Sequence, residues 1–223
     1  TLEESQVQAD WDEGWFGAAP ATSYNHGIAR IACILSAVAY TDVQPESRED
    51  ALSRCYRALG VPGPAVEYHY AIDYADPFWG NDQCAFSFAS KEIQTARGKR
   101  TLVFAVIRGT PLSANEWVSN LDIGAESNGP VAMHTGFSRA TQQVLTAFYA
   151  YLLDKHIDVS SSCFLITGHS RGAAVANLMG SILIQNRLFK AEDLYVYTFA
   201  SPNVTTDEAA GSDRYRFIWD IVN

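Results

Sequence analysis

Three apolar runs, rich in β-branched and aromatic residues, constrain this chain more than any other feature. They are TLVFAVI at 101–107, CFLITG at 163–168 and LYVYTFA at 194–200. None alternates polar with apolar side chains, so each predicts a strand buried on both faces. A fourth run, YRFIWDIV at 215–222, is of the same kind. Between them, helical spacing predicts a long helix over 137–153 and a small-residue helix over 170–186. Buried strands alternating with helices imply an α/β fold: a mostly parallel central sheet covered by helices on both faces.

Upstream, Ile28, Ile31, Leu35, Val38 and Ala39 recur at helical spacing and predict a helix over 25–40. A second helix is expected over 47–59, stopped by Gly60 and Pro62. Strands are expected over 65–74 and 85–93, with Gly98 marking the turn after the second. Residues 1–22 are acidic, then rich in Ala, Gly and Pro. They read as a loosely held lead-in, despite Trp11, Trp15 and Phe16, ahead of a single domain over 23–223. A chain of 223 residues with 48% hydrophobic side chains has enough apolar material for one such core.

The formal charge of −9 argues against a nucleic-acid partner, which would need a basic face, and against electrostatic docking on anionic lipid. No apolar stretch reaches the roughly 20 residues of a membrane span, so no transmembrane segment is expected. Cys33, Cys55, Cys84 and Cys163 lack metal-ligand spacing and are expected to be free thiols. Cys33 and Cys163 sit in apolar runs, where a cysteine behaves as a small buried hydrophobe. Thr1 in first place fits a processed or trimmed N-terminus. No cofactor is called for, and nothing sets an oligomeric state.

One string carries chemistry. Gly168-His169-Ser170-Arg171-Gly172 is a G-x-S-x-G lying directly between a buried strand and a helix. By chance such a string arises in about one chain in fifteen of this length. Its flanks make it specific, since few chance copies follow FLIT and precede an Ala-rich helix. A sharp strand-to-helix turn would hold Ser170 in a strained conformation with its hydroxyl raised from the sheet edge. Neighbours two before and two after would crowd, which glycine relieves. A nucleophilic serine also needs two donors for the oxyanion of a tetrahedral intermediate. The backbone N–H of Arg171 is one candidate. Arg108-Gly109-Thr110, at the end of TLVFAVI, either supplies the other or is a plain strand-ending turn with Arg108 in an ion pair.

IRGT, EW-SNLDI (116–123), HTGF (134–137), ITGHSRGAAVANL and YTFASP (197–202) occur together in the order seen in class 3 lipases. The resemblance covers roughly residues 24–223, and YNH at 24–26 resembles the bacterial members. It implies an α/β-hydrolase fold, Ser170 as nucleophile, and Thr110 with Arg171 as the oxyanion pair. It also implies a lid between Thr110 and His134, with Leu112, Trp117, Val118 and Leu121 on its apolar face, Trp117 being equally suited to a fixed core. The substrate implied is a small acyl ester or lipid.

Two departures stand out. Fungal members commonly carry leucine after the serine, whereas Arg171 would set a guanidinium at the mouth and make the site less apolar. In addition, an α/β-hydrolase triad runs Ser, Asp, His along the chain, and no histidine follows Ser170. In the family an acidic residue follows a strand like YRFIWDIVN almost at once. The expectation is therefore that the sequence is C-terminally incomplete at Asn223 and that acid and base lie beyond it. Asp220 is the residual candidate for the acid, and Asp207 and Asp213 read as solvated loop charges. His134 reads as structural. His169 is expected to bond beneath the turn, His26 to cap or brace the first helix, and His69 and His156 to lie at the surface or a strand end. The reading is a serine ester hydrolase. The alternatives are a non-catalytic lipase-fold binding module, an acyltransferase or thioesterase on the same site, and, less favoured, an amidase or peptidase.

Overall fold

The computed structural model describes residues 7–40, 51–69, 84–109, 135–205 and 212–221. Two helices lead, α1 (His26–Val38) and α2 (Ala51–Ala58). Strands β1 (Val66–His69), β2 (Phe86–Thr95) and β3 (Gly98–Ile107) follow. After them come α3 (Thr135–Asp154), β4 (Ser162–His169), α4 (Arg171–Gln185), β5 (Leu194–Phe199) and β6 (Ile218–Ile221). The six strands form one sheet whose spatial order equals their order along the chain.

The sheet divides according to its connections. Thr95 pairs with Gly98 across a two-residue link, which permits only a hairpin, so β2 and β3 are antiparallel. Gly98 takes φ +95°, a conformation that costs glycine nothing. β1 is likewise antiparallel to β2. From β3 to β6 all neighbours are parallel, with α3 leading into β4 and α4 into β5. Parallel strands need such crossovers, and the helices leave both faces dry. Every residue of β5, and every residue of β4 but His169, is buried.

Side-chain alternation separates the two helical layers. The Thr167 hydroxyl donates to the Ala32 carbonyl of α1 at 3.2 Å, and Tyr197, its partner in register, accepts from the Asn25 N–H at 2.9 Å. Val196, one residue back, faces the other way, where a Cβ on Gly180 of α4 would come within 3.0 Å of it. On that second side α3 packs on α4, and Phe88, Phe148, Phe164 and Phe189 meet at centroid distances of 5.0–6.3 Å. Each buried ring of this kind contributes about 1.5–3 kcal/mol through the hydrophobic effect.

Three expectations need correction. The lead-in is not loose over its described part: Phe16 and Ala21 are buried, and Trp11 lies 6.3 Å from the Phe104 ring. Tyr195 accepts from the Gly17 N–H at 2.9 Å and donates to the Ala19 carbonyl at 3.1 Å, tying this segment to β5. Its aromatic residues outweigh its flexible composition. Second, Asn25 caps α1, its Oδ1 accepting from the Ile28 N–H at 3.0 Å, while His26 is exposed beside Tyr24. Third, Cys33 is exposed, because α1 buries the face of Ile28, Ile31, Ala32 and Leu35 and Cys33 falls off that stripe. All four cysteines are free, with Cys84 and Cys163 buried.

Candidate active site

β4 becomes α4 across a single residue. Ser170 stands between His169, the last strand residue, and Arg171, the first helical one. Its φ of 55° and ψ of −127° lie where a side chain is rarely tolerated. Three glycines make the bend possible. A Cβ on Gly168 would sit 2.4 Å from the Gly172 carbonyl oxygen, and one on Gly172 would sit 2.3 Å from that of Ile107. One on Gly109 would meet the Tyr40 hydroxyl at 2.0 Å and the His169 carbonyl oxygen at 2.6 Å. The ends of β3 and β4 and the first turn of α4 therefore touch backbone to backbone.

That crowding aims the serine. Ser170 sits at the N-cap of α4, where a serine hydroxyl normally accepts from an N–H of the first turn, yet it makes no capping bond. Its main chain is held instead: the N–H donates to the Phe199 carbonyl at 3.0 Å, and the carbonyl accepts from Ala173 and Ala174 at 2.9 and 3.2 Å. The hydroxyl of the half-buried Ser170 is left at the start of a fifteen-residue helix, whose dipole places about half a positive charge there. A developing anion on a group attached to Ser170 would be stabilised at that spot.

The surrounding charges differ from expectation. Arg171 is buried, with 8% of its surface exposed, so its guanidinium is not presented to solvent at the mouth. Its charge acts on the buried Cys84, as does that of Arg108. Burial pushes the Cys84 thiol up to about 12, against the opposing pull of the Arg171 and Arg108 guanidiniums. Arg108 is also buried, and its N–H continues the ladder by donating to the Ala85 carbonyl at 2.8 Å.

His169 is exposed and hydrogen-bonded, its Nδ1 lying 2.9 Å from the hydroxyl of Tyr40, just past α1. Tyr40 was not singled out by the sequence, since one polar-ended aromatic residue at a helix end carries no distinguishing signal. His69 ends β1, stacked on Phe86 and bonded to Glu67, and His156 is exposed after α3. Asp220 pairs in register with Thr198 and is exposed, accepting from the Thr198 hydroxyl at 3.0 Å and the Ser201 N–H at 3.3 Å. Asp213 is a surface charge paired with Arg216 at 2.8 Å. Thr110, Leu112, Trp117, Val118, Leu121, His134 and Asp207 lie outside the described residues. Among the described residues no group of three or more His, Cys, Asp or Glu could hold a metal, and no helix is long and apolar enough to cross a membrane.

The family described as Lipase (class 3) matches residues 104–222. A "Secreted mono- and diacylglycerol lipase 1" of Fusarium solani is 28% identical over 118 residues, 52% of this chain and 34% of that protein. The chain thus spans about a third of the length of this curated relative. In three dimensions it resembles the native Rhizomucor miehei lipase propeptide complex, with a TM-score of 0.64 and 20% identity over 99% of this chain and 70% of that one. The lipase of Rhizopus microsporus var. chinensis gives 0.59 and 18% over 100% and 75%. A fungal lipase–inhibitor complex gives 0.62 and 22% over 90% and 72%. At such identities the structural likeness shows the fold, which is that of the α/β-hydrolases. With the family match running from β3 through the serine bend to β6, the chain belongs to the class 3 lipase family.

Proposed function

We propose that this protein is a serine ester hydrolase of lipase or esterase type acting through an acyl-enzyme on Ser170. The observation that carries the reading is the Ser170 backbone at φ 55° and ψ −127°, with its hydroxyl released from capping at the start of α4. The hydroxyl would attack an acyl carbonyl while a histidine takes its proton, and water would later release the acyl group. The N–H of Arg171 points out of the start of α4, as first-turn donors do, and with that of Thr110 would hold the oxyanion. The general base is assigned to none of His26, His69, His156 and His169, which are directed elsewhere or lie away from the bend; it is sought outside the described residues. The substrate class is a small acyl ester or lipid, in keeping with the Fusarium solani relative, a secreted lipase, which also favours an extracellular location.

A fluorophosphonate probe applied to the full-length protein tests this. The probe should label wild type, and Ser170→Ala should abolish labelling and lower ester turnover at least about 1,000-fold. Wild type that stays unlabelled would reject the assignment and favour a non-catalytic lipase-fold binding module, and a Ser170→Ala variant that still turns over ester would reject Ser170 as the nucleophile. A series of p-nitrophenyl esters would then rank acyl length.

A further inference from the structure

We infer that Tyr40 is a positioning residue for Ser170, acting through the peptide bond that joins Ser170 to His169. This rests on Ser170 being the nucleophile, as proposed above. That peptide is gripped from both sides. On one, the Ser170 N–H donates to the Phe199 carbonyl of β5 at 3.0 Å. On the other, the Tyr40 hydroxyl lies 3.3 Å from the His169 carbonyl oxygen and 2.9 Å from the His169 Nδ1. A phenol has one proton, so both contacts are satisfied together when Nδ1–H donates to the phenol oxygen and the phenol donates to the carbonyl. The His169 ring, edge-on to the Tyr40 ring at 5.7 Å, then orients the hydroxyl that holds its own backbone.

The orientation of this peptide sets φ at Ser170. A residue with a Cβ persists at φ 55° only where its surroundings over-determine it. Phe199 fixes the peptide from the sheet, and Tyr40 fixes it from the end of α1, an element outside the strand–bend–helix unit. The hydroxyl also fills the space a side chain at Gly109 would need, since a Cβ there would lie 2.0 Å from it. Tyr40 therefore wedges the end of β3 against the end of β4 and keeps the two edges in register beside the serine.

The test replaces Tyr40 with Phe, which keeps the ring and removes only the hydroxyl, and with Leu, which removes both. Each variant is compared with wild type and Ser170→Ala for fluorophosphonate labelling rate, kcat and KM for a p-nitrophenyl ester, and Tm. Small misplacements of a reacting atom are costly, so Tyr40→Phe should label roughly ten-fold more slowly. Its kcat should fall by a similar factor, with KM changed less than about two-fold and the protein fully folded at the assay temperature. Tyr40→Leu should lose at least as much. A wild-type rate for Tyr40→Phe beside a slow Tyr40→Leu would mean the ring serves only as packing and would overturn the inference. So would a loss confined to KM, or one that tracks only the unfolded fraction. If wild type is unlabelled, the nucleophile assignment fails and the inference fails with it. If wild type labels while both Tyr40 variants match it, the inference alone fails.

Discussion

The two ends of β4 are built on opposite principles. At its start, Ser162 is buried, its hydroxyl donates to the Asp158 carbonyl at 2.6 Å, and its own carbonyl accepts from Arg100. Beside it Asp193, 5% exposed, bonds Arg97 at 2.6 Å and Arg100 at 3.0 Å. Charge there is met by opposite charge, so that burial does not strand it. At the other end Ser170 carries the strain, His169 is exposed, and the serine hydroxyl is kept out of the helix cap. Ala200, at the end of β5, is a second non-glycine residue with positive φ at this edge. One end meets its buried charges with opposite charges; the other uses neighbouring backbone contacts to keep a group available. Such a division is expected where one edge of a sheet serves stability and the other serves chemistry.

The contrast can be broken most severely at Gly172. Alanine there would set a Cβ 2.3 Å from the Ile107 oxygen and 2.8 Å from the Arg108 carbonyl carbon, and backbone cannot step aside as a side chain can. Gly172→Ala should cost about 4–5 kcal/mol or abolish folding, in the range reserved for strained or overpacked sites. Gly63→Ala is the control, with nothing within 4 Å, and should shift stability by less than about 0.5 kcal/mol. Denaturant melts of both variants measure the difference. Equal stabilities would mean that β3, β4 and α4 do not meet as closely as their backbones indicate.

The opposite edge gives the next effect. Asp193→Ala leaves Arg97 and Arg100 without their shared carboxylate, Arg100 with only 10% of its side chain exposed. Removing one member of a buried ion pair costs about 3 kcal/mol, chiefly from the charge left behind. Stability should fall by that order, while the fluorophosphonate labelling rate per folded molecule stays within about two-fold of wild type. A large loss of labelling in fully folded protein would show the two ends to be coupled and would undo the division drawn above.

Much of this was legible in the sequence, for identifiable reasons. The second half of β3, and β4 and β5, were readable because burial on both faces leaves no room for charged residues there, and the serine bend because steric crowding demands Gly168 and Gly172. What escaped depends on contacts between segments distant along the chain. Phe16 is buried against Tyr195, with ring centroids 5.0 Å apart, although its local sequence resembles a flexible arm. Tyr40 reaches His169 across 129 positions, and no local pattern encodes such a meeting. Arg171 reads as a mouth residue from its place beside the serine, yet the first turn of α4 carries its side chain into a buried position. In each case spacing told what an element is, and tertiary packing decided what its side chains meet.

The smallest effect is expected at Asp220, which shares the chemical edge of the sheet with Ser170 but is built like the other edge. Its carboxylate accepts from the Thr198 hydroxyl and the Ser201 N–H, both beside it at the strand end, and no described histidine is among its partners. An asparagine oxygen can accept the same two bonds. Asp220→Asn should therefore change ester turnover by less than about three-fold, because a group engaged locally is not orienting a base. A triad acid behaves otherwise: neutralising it leaves the geometry intact while the histidine loses the partner that fixes its tautomer, a loss of about 10,000-fold. The two outcomes lie far enough apart for one kcat measurement on folded protein to decide between them. A collapse in turnover would make Asp220 the acid and would mean that the carboxylate leaves Thr198 during the reaction.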